Sequence, residues 1–349
     1  MSFLRSAAAS TRHHARSVTV DAPARLHLGF LDPNGSLGRR FASLGLVIEG
    51  FEARLAVSAA ARNAVEIGAG LGTVPGQDEN RERIARYLDL LQRETGLDTP
   101  LSLRLNAAPP PHSGFGSGTQ LALAVGRAFC TWHGLEVPTR RLAAILGRGK
   151  RSGVGIAGFD RGGLLLDGGP GADGSAAPLL AHATFPAEWT VMLVLDERMD
   201  GLCGAAERVA MDALAPFPRA LAADLSHQVL MRVLPAVIER DFEPFAAGVS
   251  HVQRLIGDYF APAQGGSMYT SAAVGHMLEW LRGIEAAAIG QSSWGPTGFA
   301  ILRSRAVAER VLAAARAAGA LDPALRVVLT TANNRGARVG LGAPALQRA

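Results

Sequence analysis

The run Pro109-Pro110-Pro111-His112-Ser113-Gly114-Phe115-Gly116-Ser117-Gly118-Thr119 carries the clearest chemical signal in the chain. Gly114, Gly116 and Gly118 allow close approach of backbone to ligand, and Ser113, Ser117 and Thr119 add hydroxyls. Beyond them Leu121, Val125, Phe129 and Trp132 recur at helical spacing, so the loop opens a helix from about Ser117 to His133. A helix N-terminus offers unpaired N–H groups and partial positive charge, which together bind phosphate without many cations. The run lacks the Gly-Lys-Ser/Thr of a P-loop, and its prolines cannot be the strand interior that a dinucleotide fingerprint requires. A tight helix start without a ligand is the plainer reading of the glycines alone.

Three further segments gain meaning beside this loop. Arg25 and His27 are two residues apart in an alternating stretch, so they share one face of a strand, turned to a pocket or to solvent. Arg148-Gly149-Lys150-Arg151-Ser152-Gly153-Val154-Gly155 is a basic cluster in a Gly-rich turn that ends near Asp160. Such turns are solvated loops or phosphate holders. Gly290-Gln291-Ser292-Ser293-Trp294-Gly295-Pro296-Thr297-Gly298 is a second glycine-bearing loop that feeds a strand.

The elements that must position these groups follow from periodicity. Alternating patterns begin at Val18 and continue through Phe30, a strand pair covers 44–57, a helix 79–95 and a strand 101–105. After the loop helix come a helix at 139–146, a strand at 162–166 and a Gly/Pro/Ala/Asp-rich stretch, 167–177, which marks a domain boundary there or just beyond. The second half opens with a strand at 190–195 and helical patterns to about 283. It closes with strand 299–302, helix 306–318 and strand 326–331. This order is α+β, with units expected at 18–185 and 186–349 behind a disordered extension, 1–17.

Composition narrows the function. The net charge of +5 favours an anionic ligand, but the arginines are scattered and only 6% of residues are aromatic, which argues against a nucleic-acid partner. Two cysteines, Cys130 and Cys203, make neither a disulfide framework nor a zinc signature and suit a reducing cytoplasm. No apolar run reaches the roughly 20 residues of a span, so no membrane partner is expected.

Taken together the four segments resemble the GHMP superfamily of small-molecule kinases, Pro111 to Gly118 being similar to its phosphate loop. Within it, Ala24 to Phe30, Ser113 to Gln120, Gly147 to Gly169 and Ser292 to Thr297 resemble the β-ribofuranosylaminobenzene 5′-phosphate synthases of methanopterin biosynthesis. The resemblance implies a GHMP-kinase-like two-domain fold, an N-terminal domain like ribosomal protein S5 domain 2 and a ferredoxin-like C-terminal domain, with the active site between them. It implies condensation of 5-phosphoribosyl 1-diphosphate with 4-aminobenzoate or 4-hydroxybenzoate, releasing CO₂ and diphosphate.

On that resemblance Ser113, Gly114, Gly116, Ser117, Gly118, Thr119, Arg151 and Ser152 hold phosphates. Arg25, His27, Lys150 and Asp160 are the catalytic candidates, and Ser117 and Asp160 would contact Mg²⁺. Ser292, Ser293, Trp294, Gly295 and Thr297 would form the acceptor pocket, with Phe30 and Phe115 as further walls. A cytoplasmic homodimer is expected. Two alternatives stay open: an ATP-dependent kinase with Asp160 in the catalytic aspartate position, and a non-catalytic phosphosugar- or nucleotide-binding regulator.

Overall fold

Alternation along the first strands is converted directly into a one-sided sheet. In the computed structural model, which describes residues 17–71, 76–201 and 204–342, Val18, Val20 and Ala22 of β1 (Ser17–Ala22) and Leu55 and Val57 of β4 (Ala53–Ala59) are buried on one face. β6 (Leu101–Ala107) and β5 (Ala64–Ile67) extend the sheet, β5 parallel to β6 and the other pairs antiparallel. Helices α1 (Gln77–Thr95) and α2 (Ser117–Trp132) cover that face, with Ile84, Leu88, Leu91, Val125 and Phe129 in the shared core. The expected extension lies outside the described residues apart from Ser17, which begins β1; Cys203 lies outside them too.

The second sheet, in the order β2 (Arg25–Asp32), β3 (Phe41–Val47), β7 (Leu164–Asp167), β8 (Leu179–Ala183), is antiparallel throughout. The stretch 168–178 is therefore the turn of a hairpin inside this sheet. Before β7 run α3 (Thr139–Ile145) and α4 (Val154–Arg161). Val154 and Gly155, part of a turn by their glycine-rich surroundings, instead begin α4. This start is helical because the buried Asp167 carboxylate accepts from the N–H groups of Gly153 and Val154, a negative charge at the positive end of the helix.

The third sheet runs β10 (Ala288–Gln291), β11 (Gly298–Leu302), β9 (Thr190–Leu195), β12 (Arg326–Thr330). Every residue of β9 is buried because both faces are covered. Val191, Leu193 and Leu195 join the core under α6 (Arg219–Gln228), α7 (Leu234–Glu239) and α8 (Phe242–Phe260); Met192 and Val194 face α9 (Ala272–Arg282) and α10 (Arg305–Ala317). The first of these clusters also contains Leu26, Leu28, Leu44 and Leu46 of the second sheet, so one apolar core joins the two halves of the chain.

Two features differ from the sequence reading. The last strand, β13 (Arg338–Gly342), pairs antiparallel with β1 and completes the first sheet, so the chain crosses back over the expected 185/186 division. The continuous helical run Arg219–Glu239 is, by length and hydropathy alone, long and apolar enough to cross a membrane. Its Leu225, Val229, Val233 and Val237 instead pack into the central core.

Candidate active site

The phosphate-like loop has the geometry its glycines imply. Gly114 and Gly116 adopt φ of 84° and 72°, and Gly116 caps α2 in the left-handed region without any side-chain cap. The N–H groups of Thr119 and Gln120 turn back onto the Gly116 carbonyl, whereas those of Ser117 and Gly118 have no acceptor among the described residues. The α2 N-terminus thus retains free donors at its positive end.

Arginines surround that end. Arg25, on β2, donates from Nη1 to the Gly114 carbonyl at 2.5 Å, and its guanidinium fills the space where a Gly116 Cβ would stand. Arg148 donates to Thr119 Oγ1 at 3.1 Å through Nη2 and at 3.3 Å through Nε. Arg151 is ion-paired at 2.6 Å with Glu207 of α5 (Gly204–Asp212). Burial pushes the Arg25 pKa down to about 10, with Glu207 opposing the shift and Arg148 adding to it. Arg148 is lowered as well, first by burial and then by repulsion from Arg83, Arg151 and Arg86. Burial and mutual repulsion both disfavour the charge on these guanidiniums, and a bound anion would relieve both.

His27 sits where this basic region meets the second half of the chain. The β2–β3 register shifts between His27 and Gly29, and Gly29, at φ 126°, turns its N–H to His27 Nδ1 at 3.3 Å. With Nδ1 accepting, the neutral ring carries its proton on Nε2, which is buried and without a partner among the described residues. Burial first, then Arg25 and Arg151, holds the imidazole pKa well below its ordinary value. His27 is therefore a neutral hydrogen-bond donor at physiological pH.

Ser292 ties the two halves together. Its hydroxyl donates to the Gly114 carbonyl at 2.8 Å and accepts from the His27 N–H at 3.0 Å. The backbones meet closely: a Cβ on Gly114 would stand 2.1 Å from the Ser292 carbonyl, and one on Gly295 would stand 2.4 Å from the Ser113 carbonyl carbon. Beyond this clasp lies a pocket of about 380 Å³ including space open to solvent. His27, Gly29 and Phe30 form one side, α8 contributes Gln253, Ile256, Gly257 and Phe260, and Gln264, Met268, Gln291, Ser293 and Trp294 complete it. Phe260 and Trp294 pack with ring centroids 4.5 Å apart, so a planar apolar ligand would meet aromatic surface.

The expected site residues divide clearly. Gly114, Gly116, Ser117, Gly118 and Thr119 converge with Arg25, His27 and Arg151, and Ser293, Trp294 and Phe30 do line the pocket. Asp160 does not belong. Its carboxylate accepts from Thr139 Oγ1, which itself accepts from Arg127, ten residues along α2 from Ser117 and so about 15 Å away by helical rise. Mg²⁺ was expected between Ser117 and Asp160, and these residues do not fit it. Among the described residues no group of three or more His, Cys, Asp or Glu gathers at metal-binding distance.

Smaller corrections follow from local bonding. Ser152 donates to Asp167 at 3.2 Å and accepts from Val154 N–H, so it serves the start of α4 and not a phosphate. Lys150 is exposed, and Arg148 is the residue of that turn that reaches the loop. Ser113 donates to the Pro111 carbonyl. Phe115 is buried against Phe51 and is no pocket wall. Ser292, Gly295 and Thr297 build the clasp beside the pocket, the Thr297 carbonyl accepting from Ser292 N–H at 3.0 Å. The sequence reading missed Gln253, Gln264 and Gln291. No local motif marks them, because they meet only when α8 packs on β10.

Comparison with known proteins shows the family and the fold. The family described as GHMP kinases N terminal domain matches residues 82–163, and GHMP kinases C terminal matches residues 233–321. A β-ribofuranosylphenol 5′-phosphate synthase from Archaeoglobus fulgidus is 32% identical over 91% of this chain and 97% of its own. One from Methanothermobacter thermautotrophicus is 29% identical over the same shares. Among solved structures, homoserine kinase from Cytophaga hutchinsonii superposes with a TM-score of 0.61 at 17% identity, covering 95% of this chain and 99% of that one. Mevalonate diphosphate decarboxylase from Staphylococcus aureus does so with a TM-score of 0.65 at 13% identity, covering 93% and 98%.

Proposed function

The chain belongs to the GHMP kinase superfamily, and from that premise we propose that it joins 5-phosphoribosyl 1-diphosphate to a 4-substituted benzoate, releasing CO₂ and diphosphate. One observation carries the reading: an anion site at a helix N-terminus and an aromatic-walled pocket adjoin at His27, Ser292 and Gly114. A phosphoribosyl donor and a planar acid need that arrangement, because the ribose carbon must lie against the ring.

The diphosphate binds the free N–H groups of Ser117 and Gly118 together with Arg25 and Arg148, and these donors stabilise it as it departs. Removing charge compensation from the leaving group would leave the C1–O bond intact. Arg151 is held in reserve by Glu207 and becomes available to a second anionic group of the donor. The acceptor ring lies in the pocket with its carboxyl-bearing carbon toward the ribose. The new carbon–carbon bond forms there, and loss of CO₂ restores aromaticity without a separate base.

His27 Nε2–H donates to the acceptor without adding a positive charge that would hold the carboxylate back from leaving as CO₂. A kinase reading needs a base at the phosphate loop. Asp160, its candidate, is tied to Thr139 at the far side of α2.

The test is incubation of the purified chain with 5-phosphoribosyl 1-diphosphate, supplied as its magnesium salt, and carboxyl-labelled 4-hydroxybenzoate or 4-aminobenzoate. Release of labelled CO₂ and diphosphate in equal amounts is expected. Phosphoryl transfer from ATP with no CO₂ from either acid would replace this reading with the kinase one.

A further inference from the structure

Three glutamines meet at the inner side of the pocket, and their orientations are set by backbone groups whose polarity is unambiguous. Gln291 accepts the Thr270 N–H on Oε1 at 2.6 Å, so its Nε2 must donate, and it does so to Gln264 Oε1 at 2.8 Å and to the Ser293 carbonyl at 3.2 Å. Gln264 Oε1 takes a second bond from Thr270 Oγ1 at 2.9 Å. Gln253 accepts the Gln291 N–H on Oε1 at 2.8 Å, beside a Gly290 that leaves no room for a Cβ. Each chain of bonds thus ends with an amide nitrogen. Neither Gln253 Nε2 nor Gln264 Nε2 has an acceptor among the described residues, although Gln253 is only 6% exposed.

Both residues line the pocket, as does His27, whose Nε2–H is likewise unpaired. The fixed polar groups therefore offer donors, and Ser293 adds a hydroxyl that can turn either way. A surface whose fixed polar groups are donors discriminates between the two acceptor chemistries. A phenol or phenolate oxygen has lone pairs to accept, whereas an aniline nitrogen delocalises its lone pair into the ring and presents N–H donors that would face donors.

We propose that Gln253 and Gln264, held by the Gln291 relay, are the residues that read the 4-substituent of the acceptor and favour oxygen over nitrogen there. This rests on the reaction proposed above. The phenol proton passes to solvent as the phenolate forms. An electron pair from the phenolate oxygen moves through the ring, carbon 1 of the ring bonds to carbon 1 of ribose, and the C1–O pair leaves with diphosphate. The ring is then a dienone whose 4-oxygen is a carbonyl, a pure acceptor facing two amide donors. Cleavage of the bond to the carboxylate returns its pair to the ring, CO₂ departs, and the phenolate takes back a proton. The 4-amino acceptor would pass through an iminium N–H group, which those donors oppose.

Initial rates of diphosphate release with each acid, for the wild-type chain and for Gln253→Leu, Gln264→Leu and Gln264→Glu, test this. A hydrogen bond to a charged group corresponds to roughly a tenfold to hundredfold rate change. The wild type should favour 4-hydroxybenzoate by at least about tenfold, each leucine variant should lose about that factor with this acid alone, and Gln264→Glu should reverse the preference. In Gln264→Glu one carboxylate oxygen keeps the bond from Gln291 and the other replaces the donor with an acceptor, so packing is preserved.

A spectroscopic reading separates recognition from mere folding. Bound 4-hydroxybenzoate should show phenolate absorbance at lower pH than the free acid, and the variants should abolish that shift. Equal losses with both acids, or an unchanged preference in Gln264→Glu, would overturn the inference while leaving the reaction standing. Turnover of neither acid by the wild type would instead show that the reaction itself is misassigned, and the inference would fall with it.

Discussion

Arg148 reaches the mouth of α2 from a turn in which Lys150 and Arg151 were equally basic neighbours, and its bond to Thr119 is what sets it apart. As one of two guanidiniums free to face the diphosphate, it should account for much of the leaving-group stabilisation. Arg148→Ala is expected to lower kcat/KM for 5-phosphoribosyl 1-diphosphate by about 100-fold with the acceptor KM little changed, as loss of a preorganised anion donor does. Steady-state kinetics in both substrates would check it. Arg148→Lys should recover only part, since an ammonium cannot reproduce the planar fork. His27 makes the opposite kind of prediction. Its pKa is depressed in the folded chain, so it is neutral above its ordinary value near 6.5 and stays neutral well below it. His27→Gln should therefore be slower by about tenfold at every pH from 5.5 to 8, from the loss of one hydrogen bond, with an unchanged profile. A limb near pH 6.5 present in the wild type and absent in the variant would instead make His27 a proton carrier.

At the scale of elements, the loop before α2 and the clasp from the third sheet fit because both surrender their side chains at the contact. Gly114→Ala combines a φ of 84° with a Cβ driven into the Ser292 carbonyl. Gly147→Ala shares the positive φ, 66°, but meets nothing within 4 Å, so it isolates the conformational cost of about 1–3 kcal/mol. Thermal unfolding should show the Gly114 variant falling well below the Gly147 variant. Gly118→Ala, whose Cβ would meet only the far end of the Arg148 side chain at 3.2 Å, should fold normally and weaken donor binding alone. A different junction predicts pH dependence. Asp196 follows β9, accepts from Ser271 Oγ at the N-cap of α9 and from Arg198, and its pKa is lowered to about 2, chiefly by the Arg198 bond. A carboxylate depressed in the folded state adds stability that is complete above its unfolded pKa, about 4, and is lost as pH falls toward 2. Asp196→Asn should flatten the acid side of a melting-temperature profile between pH 4 and 2.

Across the whole molecule, the active-site groups are drawn from both halves, and β13 returns to seal the edge of β1. The shared core and this returning strand predict one cooperative thermal transition, raised by 5-phosphoribosyl 1-diphosphate in proportion to its binding. At 100 times its dissociation constant the gain is about 2.7 kcal/mol. Calorimetry showing two transitions, only one of them ligand-sensitive, would argue that the halves fold independently. Much of this architecture was legible in the sequence, because alternation and helical spacing are local properties: α1, α2, β6, β9 and β11 stand close to where periodicity put them. The glycine loop and Arg25 were legible for the same reason, since backbone freedom and strand phase belong to a few adjacent residues. Asp160 was misplaced because its neighbours in sequence are not its neighbours in space: α4 carries it away from the loop, while Asp167, seven residues on, holds the start of that helix. The pocket was decided by tertiary structure alone. Gln253, Gln264 and Gln291 acquire a direction only from one another and from Thr270, across separations that no periodicity spans, and the polarity of the site is a property of that packing.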